Sequence, residues 1–276
     1  MFRVAHVSAA LVALILFVIP LDAQRASSDW TQWRGPNPEG EAPAPSDAQA
    51  WPEKLNQKWK VEVGLGYATP LVVGNRIYQF ARKDEREVMM GIHADSGKVL
   101  WETGYEAKFT MMSATVQHGP GPKATPVFSN GRLYSIGMTG IVTAFDAASG
   151  KQLWQKPGST LMPMFTTHSF SPIIDRGLVI FHLGGHDEGA ITAFDANSGD
   201  VRWSWKGDGP GYGSPVLAEF GGTRQIVTIT QSKLVGVDVA SGALLWERPF
   251  VSPNFTNSNT PVVAGRFWIS PAGFTP

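Results

Sequence analysis

The sequence predicts an all-β protein, a β-propeller assembled from four-stranded blades. Three observations carry the prediction. A stretch holding a polar turn, a glycine and a tryptophan occurs four times: IHADSGKVLW (92–101), FDAASGKQLW (145–154), FDANSGDVRW (194–203) and VDVASGALLW (237–246). A Thr-Pro or Ser-Pro pair precedes each copy, at Thr69-Pro70, Thr125-Pro126, Ser171-Pro172 and Ser214-Pro215, and a fifth stands at Thr260-Pro261. Between pair and tryptophan, short Val/Ile/Phe/Tyr runs alternate with Gly, Asn and Ser turns, and helical periodicity is hard to find after residue 25.

The second unit shows the form best. PVFS, RLYSIG, IVTAF and KQLWQ read as four strands, and Asn130-Gly131 between the first two is a hairpin signal, because both central positions of such a turn favour positive φ. Trp101, Trp154, Trp203 and Trp246 are 53, 49 and 43 residues apart by subtraction of their positions. Four-stranded units at about that period are propeller blades. A solenoid of parallel strands is the competing architecture, but it uses shorter repeats and fewer hairpins. Four units are complete and a fifth is begun.

The repeat predicts its own roles. Asp146, Asp195 and Asp238 accept hydrogen bonds from backbone N–H groups about two residues on. Gly97, Gly150, Gly199 and Gly242 take the positive φ that closes each turn into the outer strand. The tryptophan on that strand packs against the neighbouring blade, with its indole N–H on a backbone carbonyl. The first copy departs: Gly91 and His93 stand where Ala and Asp are usual, so its turn is held differently.

The ends and the composition set bounds. Arg3 and His6 precede the apolar run at 9–20, and LDA at 21–23 offers a cleavage point, so residues 1–23 read as a secretory signal peptide. An uncleaved anchor is the alternative, but the run is shorter than the roughly 20 residues a span needs. Residues 24–56 read as an N-terminal extension and 57–276 as the propeller, incomplete. Lys+Arg and Asp+Glu are 23 each, which gives no support to a nucleic-acid partner. The absence of cysteine removes any disulfide framework and any lipid attachment through one.

On Ala144, Asp146, Ser149, Gly150 and Trp154, and again on Ala193, Asp195, Ser198, Gly199 and Trp203, the chain resembles the pyrroloquinoline quinone (PQQ) type propeller family. The fourth copy matches at Asp238, Ser241, Gly242 and Trp246, with Gly236 at the alanine position. DWTQWRGPNPEG (29–40) resembles the N-terminal segment of its uncharacterised exported members. The family includes quinone-dependent alcohol dehydrogenases and the outer-membrane assembly propeller. The resemblance implies a ring of seven or eight blades whose last blade is completed by an N-terminal strand. QKWKVEVG (57–64), carrying Trp59, looks like that strand. A truncated or incompletely read member is one expectation; a five-bladed ring that uses 57–64 to complete unit five is the other.

The resemblance also implies possible chemistry, PQQ held over calcium with an Asp as base, but no ligand set or catalytic Asp falls on a matching motif, and the dehydrogenases' paired cysteines are missing. No cofactor is therefore predicted; PQQ with calcium is the alternative. His182, His186, Asp187 and Glu188 form the most chemical-looking cluster, either a zinc site or a polar hairpin with solvated side chains. KGDGPGYGSP (206–215) lacks the Lys-Ser/Thr ending of a phosphate loop and reads, like QHGPGPKATP (117–126), as an inter-blade loop. Met111, Met112, Met162, Met164, Phe165 and His168 would make one rim apolar, as core or as a binding face. The sequence thus favours an exported, periplasmic or secreted, non-catalytic scaffold. It would bind an envelope protein or small ligand, with no membrane span once the signal is cleaved. A PQQ-dependent oxidoreductase, or a degenerate relative of one, is the alternative.

Overall fold

The computed structural model describes residues 29–36, 40–42, 53–159, 167–264 and 267–269. The expected signal peptide at 1–23 and Met162, Met164 and Phe165 lie outside them. Four antiparallel sheets follow one another along the chain, each in the order of its strands. The first holds β1 (Leu71–Val73), β2 (Arg76–Lys83), β3 (Arg86–His93) and β4 (Val99–Glu106). The second holds β5 (Val127–Ser129), β6 (Arg132–Ile136), β7 (Val142–Asp146) and β8 (Gln152–Lys156). The third holds β9 (Ile173–Asp175), β10 (Leu178–Gly185), β11 (Glu188–Asp195) and β12 (Val201–Trp205). The fourth holds β13 (Val216–Phe220), β14 (Thr223–Ile229), β15 (Lys233–Asp238) and β16 (Leu244–Pro249). β17 (Val262–Ala264) and β18 (Phe267–Ile269) open a fifth. These are the blades that the repeat predicts, and the protein is an all-β propeller of four-stranded blades.

The core lies between blades rather than within them. Tyr78, Phe80 and Met89 of the first blade pack with Leu133 and Phe145 of the second. Tyr134, Ile136 and Val142 of the second pack with Val179, Phe181 and Phe194 of the third. Ile180 and Ile191 of the third pack with Ile226, Val235 and Val237 of the fourth. Alternate residues of each middle strand thus face opposite neighbours, which is why these strands are apolar almost throughout. The Asn130-Gly131 turn has φ of 49° and 74°, as its hairpin reading requires.

The tryptophans tie blade to blade. The indole N–H of Trp101 donates to Ala147 O at 3.2 Å, that of Trp154 to Ala196 O at 3.2 Å, and that of Trp203 to Val239 O at 2.9 Å. Each acceptor follows the turn aspartate of the next blade, and each ring lies on that turn's glycine. A Cβ on Gly199 would meet the Trp154 ring at 2.7 Å. The glycine is therefore required twice, for its φ of 75° and for the ring above it. Trp154 also faces Ala144 across a register shift between Ala144 and Phe145. The same shift recurs beside Gly91, Ala193 and Gly236, so the small residue of the motif makes room for the outer-strand ring.

The carboxylates act as expected. Asp146 Oδ1 accepts from Ser149 N at 2.8 Å and Ser149 Oγ at 2.6 Å, and Asp238 repeats both with Ser241. Asp195 takes the N–H groups of Asn197 and Ser198. These bonds hold all three carboxyls below the usual aspartate range. In the first blade the turn closes without that carboxylate: Gly97 N still donates to His93 O at 2.9 Å, while Asn75 reaches His93 and Asp95 by its side-chain amide.

A second line of stitches runs along the inner strands. Thr69 N donates to Thr125 Oγ1, Thr125 N to Ser171 Oγ, Ser171 N to Ser214 Oγ and Ser214 N to Thr260 Oγ1, all at 3.0–3.1 Å. The hydroxyl before each proline thus satisfies the buried N–H of the blade before it. Ser171→Ala should cost about 1–3 kcal/mol, the penalty of orphaning a buried donor. A urea melt of that variant superimposing on the parent would contradict this reading of the belt.

Residues 57–63 take the place of an outer strand. Trp59 donates to Ala94 O at 2.8 Å and lies on Gly97, as the other tryptophans lie on their next blades. Val61 and Val63 pack against Ala81, Val88 and Met90. Among the described residues this stretch has no ladder with β17 or β18.

Candidate functional site

In a blade of four antiparallel strands in sequence order, the inter-blade loops and the turns between second and third strands share one rim. The aspartate-glycine turns lie on the opposite rim. The loop-bearing rim collects the residues that sequence reasoning singled out for chemistry. Its segments are 64–70, 107–126, 157–172, 206–215 and 250–261, of which 160–166 lie outside the described residues.

At the first junction Glu87, fully buried on β3, crosses to the second blade. Its Oε1 accepts from Met138 N at 2.6 Å and its Oε2 from Tyr105 Oη at 2.9 Å. Burial pushes its carboxyl above the usual glutamate range, against the pull of these two donors and of the Arg82 guanidinium. Arg82 itself donates to Ala107 O at 2.8 Å.

His168 closes the second junction. Its Nε2 lies 2.9 Å from Gly184 O and its Nδ1 3.5 Å from Met138 O. Burial lowers its pKa, so the ring is neutral near pH 7, and its single proton belongs on Nε2, where the contact is shorter.

The third junction holds the cluster around His182. That ring is wholly buried, with Nε2 on Asp208 O at 3.0 Å, and burial drives its pKa down to about 4. Asp208 reaches into the fourth blade: its Oδ2 accepts from Thr230 Oγ1 and from the N–H and hydroxyl of Ser232. Asp187 and Gln231 exchange two bonds, Asp187 N to Gln231 Oε1 at 2.8 Å and Gln231 Nε2 to Asp187 Oδ1 at 2.6 Å. At the fourth junction Asn257 donates its amide to Thr230 O, Gln231 O and Phe250 O.

The hairpin reading of the histidine cluster holds for the turn at 186–187 and the exposed Asp187 and Glu188, and needs correction at His182. His182 is core, not a solvated hairpin residue, because in β10 it shares a face with Ile180. His186 lies in the turn, its ring 5.1 Å from that of Phe255, so the two histidines do not share a ligand. Among the described residues no three His, Asp or Glu side chains converge on a point that could hold a metal. Calcium needs about six to eight oxygens, whereas the Glu87 oxygens accept from Met138 and Tyr105, and those of Asp208 from Gly209, Thr230 and Ser232. The described residues do not fit a PQQ–calcium centre.

What the rim does offer is apolar surface. Leu65 is 57% exposed, Tyr67 61%, Met112 53% and Val116 61%. They belong to two segments held side by side. Tyr67 N donates to Pro122 O at 2.7 Å, Gly66 and Gly121 touch through their backbones, and the Lys123 ammonium lies 4.7 Å from the Tyr67 ring centre. Met112 thus sits on an exposed rim, one of the two outcomes that the methionine pattern left open, while His168 is buried.

Residues 85–270 match the family model described as outer membrane protein assembly factor BamB. BamB of Yersinia pestis is 24% identical over 203 residues, 69% of this chain and 47% of that protein. Methanol dehydrogenase [cytochrome c] subunit 1 of Paracoccus denitrificans is 23% identical over 172 residues, 57% of this chain and 26% of that protein. The crystal structure of BamB from Moraxella catarrhalis covers 75% of this chain and 56% of its own, with a TM-score of 0.48 and 15% identity. The chain spans about half the length, or less, of the curated relatives it matches. With two thirds of its length under one family model, the chain belongs to the PQQ-like β-propeller family that includes BamB.

Proposed function

We propose that the protein is an exported, non-catalytic propeller that docks a protein of the cell envelope on its loop-bearing rim. One observation carries this reading. Glu87, His168, His182 and Asp208 are taken up in bonds at the blade junctions, while Leu65, Tyr67, Met112 and Val116 are exposed on the rim segments 64–70 and 107–126. Exposed apolar side chains, with a lysine stacked on one of them, are features of an interaction surface. The family relatives named for outer-membrane assembly agree with a protein partner and with a periplasmic or secreted location; those named as dehydrogenases keep PQQ-dependent oxidation as the competing reading. No helix among the described residues is long and apolar enough to cross a membrane.

Photo-crosslinkable residues placed in living cells at Tyr67 and Val116 should each trap the same envelope protein. A probe at Ala240, on the opposite rim, should not. Val116→Asp should reduce the yield from position 67 by about tenfold, as expected for a charge set into a contact core. Equal trapping from both rims, or a yield indifferent to Val116→Asp, would reject the rim as the docking face.

A further inference from the structure

The inner strands present a second set of binding groups, on the channel side. In an antiparallel pair, alternate residues turn their N–H and C=O away from the partner strand. On β1 that residue is Val72, paired with Ile77; on β5 it is Phe128, paired with Leu133. The N-terminal segment uses both. Trp30 and Val72 exchange N–H···O bonds of 2.7 and 3.0 Å, and Phe128 N donates to Thr31 O at 2.8 Å. Residues 30–31 therefore lie as added backbone along the channel edges of the first two blades.

The equivalent residue is the third after each Ser/Thr-Pro serine or threonine. In the third blade it is Ile174, paired with Val179, and in the fourth Leu217, paired with Ile226. Nothing among the described residues occupies their channel-side edges. Instead a cavity of about 270 Å³ lies there, with Gln32, Trp33 and Pro36 on one side and Pro172, Pro215 and Leu217 on the other. Further along, Gly40, Glu41 and Ala42 are exposed.

We infer that this cavity is a receptor for an extended, apolar peptide segment of a partner protein, held by strand addition to the third and fourth blades. The occupant's class is set by the first two blades, where the same edge groups hold extended backbone. The indole and prolines on the walls favour apolar or proline-bearing side chains, Gln32 and Arg224 add polar groups beside them, and the backbone edges supply the hydrogen bonds. The site is separate from the rim patch and does not depend on it.

The test pans random seven-residue peptides, displayed on phage, against the full chain. Enriched sequences are then resynthesised with capped ends. They should bind in calorimetry and slow deuterium exchange at the Ile174 and Leu217 amides. Leu217→Pro removes the edge-facing N–H together with a wall side chain, at a place where an edge strand tolerates proline; relative to Leu217→Ala, which removes the side chain alone, it should weaken binding by about tenfold, the worth of one hydrogen bond. Tyr67→Ser, on the rim, should leave binding unchanged. The exchange measurement on the parent protein decides the question even where Leu217→Pro fails to fold. No enriched peptide, no slowing at the two amides, or binding lost with Tyr67→Ser would overturn the inference. Failure here leaves rim crosslinking intact, so the two sites are judged apart.

Discussion

Replacing Trp154 by alanine is expected to lower stability by about 3–5 kcal/mol in a urea melt, the cost of truncating a buried aromatic. Three contributions fall together. The ring sits among Tyr134, Phe194 and the residues between the second and third blades, so its loss leaves a cavity at their junction. Its indole bond to Ala196 O disappears, and that oxygen is shared with Tyr134 Oη and Arg132. The turn glycine Gly199 loses the surface it lies against. Trp246→Ala is the internal control. Trp246 is only half-buried, against a nearly buried Trp154, so its replacement should cost less than half as much. Equal losses at the two positions, or a Trp154→Ala loss below about 1 kcal/mol, would mean that the indoles are not inter-blade staples.

Glu87→Ala should be comparably damaging, about 3–5 kcal/mol, because it strips a buried carboxyl from its hydrogen-bond partners and from Arg82. Met138 N–H and Tyr105 O–H would both lose their acceptor, and Arg82 would lose the carboxylate beside it. Glu87→Gln keeps one acceptor oxygen and should lose less. The pH dependence follows from burial. The folded-state pKa of Glu87 lies above its usual 4.5, so the native state binds the proton more tightly than the unfolded chain does. The associated stability is fully present below the unfolded pKa and is lost as pH rises through the raised folded value. Urea midpoints of Glu87→Gln and the parent, compared across the carboxylate range and above it, should show that slope removed in the variant. Parallel pH profiles would contradict the assignment.

The blades were legible because a repeat states the same local physics several times. A turn that needs a carboxylate, a positive φ and a ring on the next strand leaves three residues at fixed spacing, and Asp146, Gly150 and Trp154 sit where those needs place them. Trp59 was legible as a strand residue displaced from its blade, and its bond to Ala94 O repeats the pattern. The Ser/Thr-Pro pairs were visible only as markers. Their hydroxyl belt links residues 43–56 positions apart, and no local signal says that one blade's hydroxyl meets another blade's N–H.

The rim was the least legible part. Glu87, His168, Asp208 and Asn257 do equivalent work at successive junctions, yet each is a different residue type, so no spacing recurs. His182 could have been placed by strand parity: in LVIFHLGG it shares a face with Ile180, which buries it. The pairing of His182 with His186 as chemistry rested on proximity in sequence, and an extended strand separates what a helix would have brought together.

The claim that the rim's polar groups are structural, and that the protein binds rather than oxidises, meets its most direct test in a titration. PQQ is added with calcium to the purified protein while intrinsic tryptophan fluorescence is followed. No saturable quenching is expected at micromolar cofactor. Saturable quenching that depends on calcium would contradict it and return the protein to the quinone-dependent oxidoreductases.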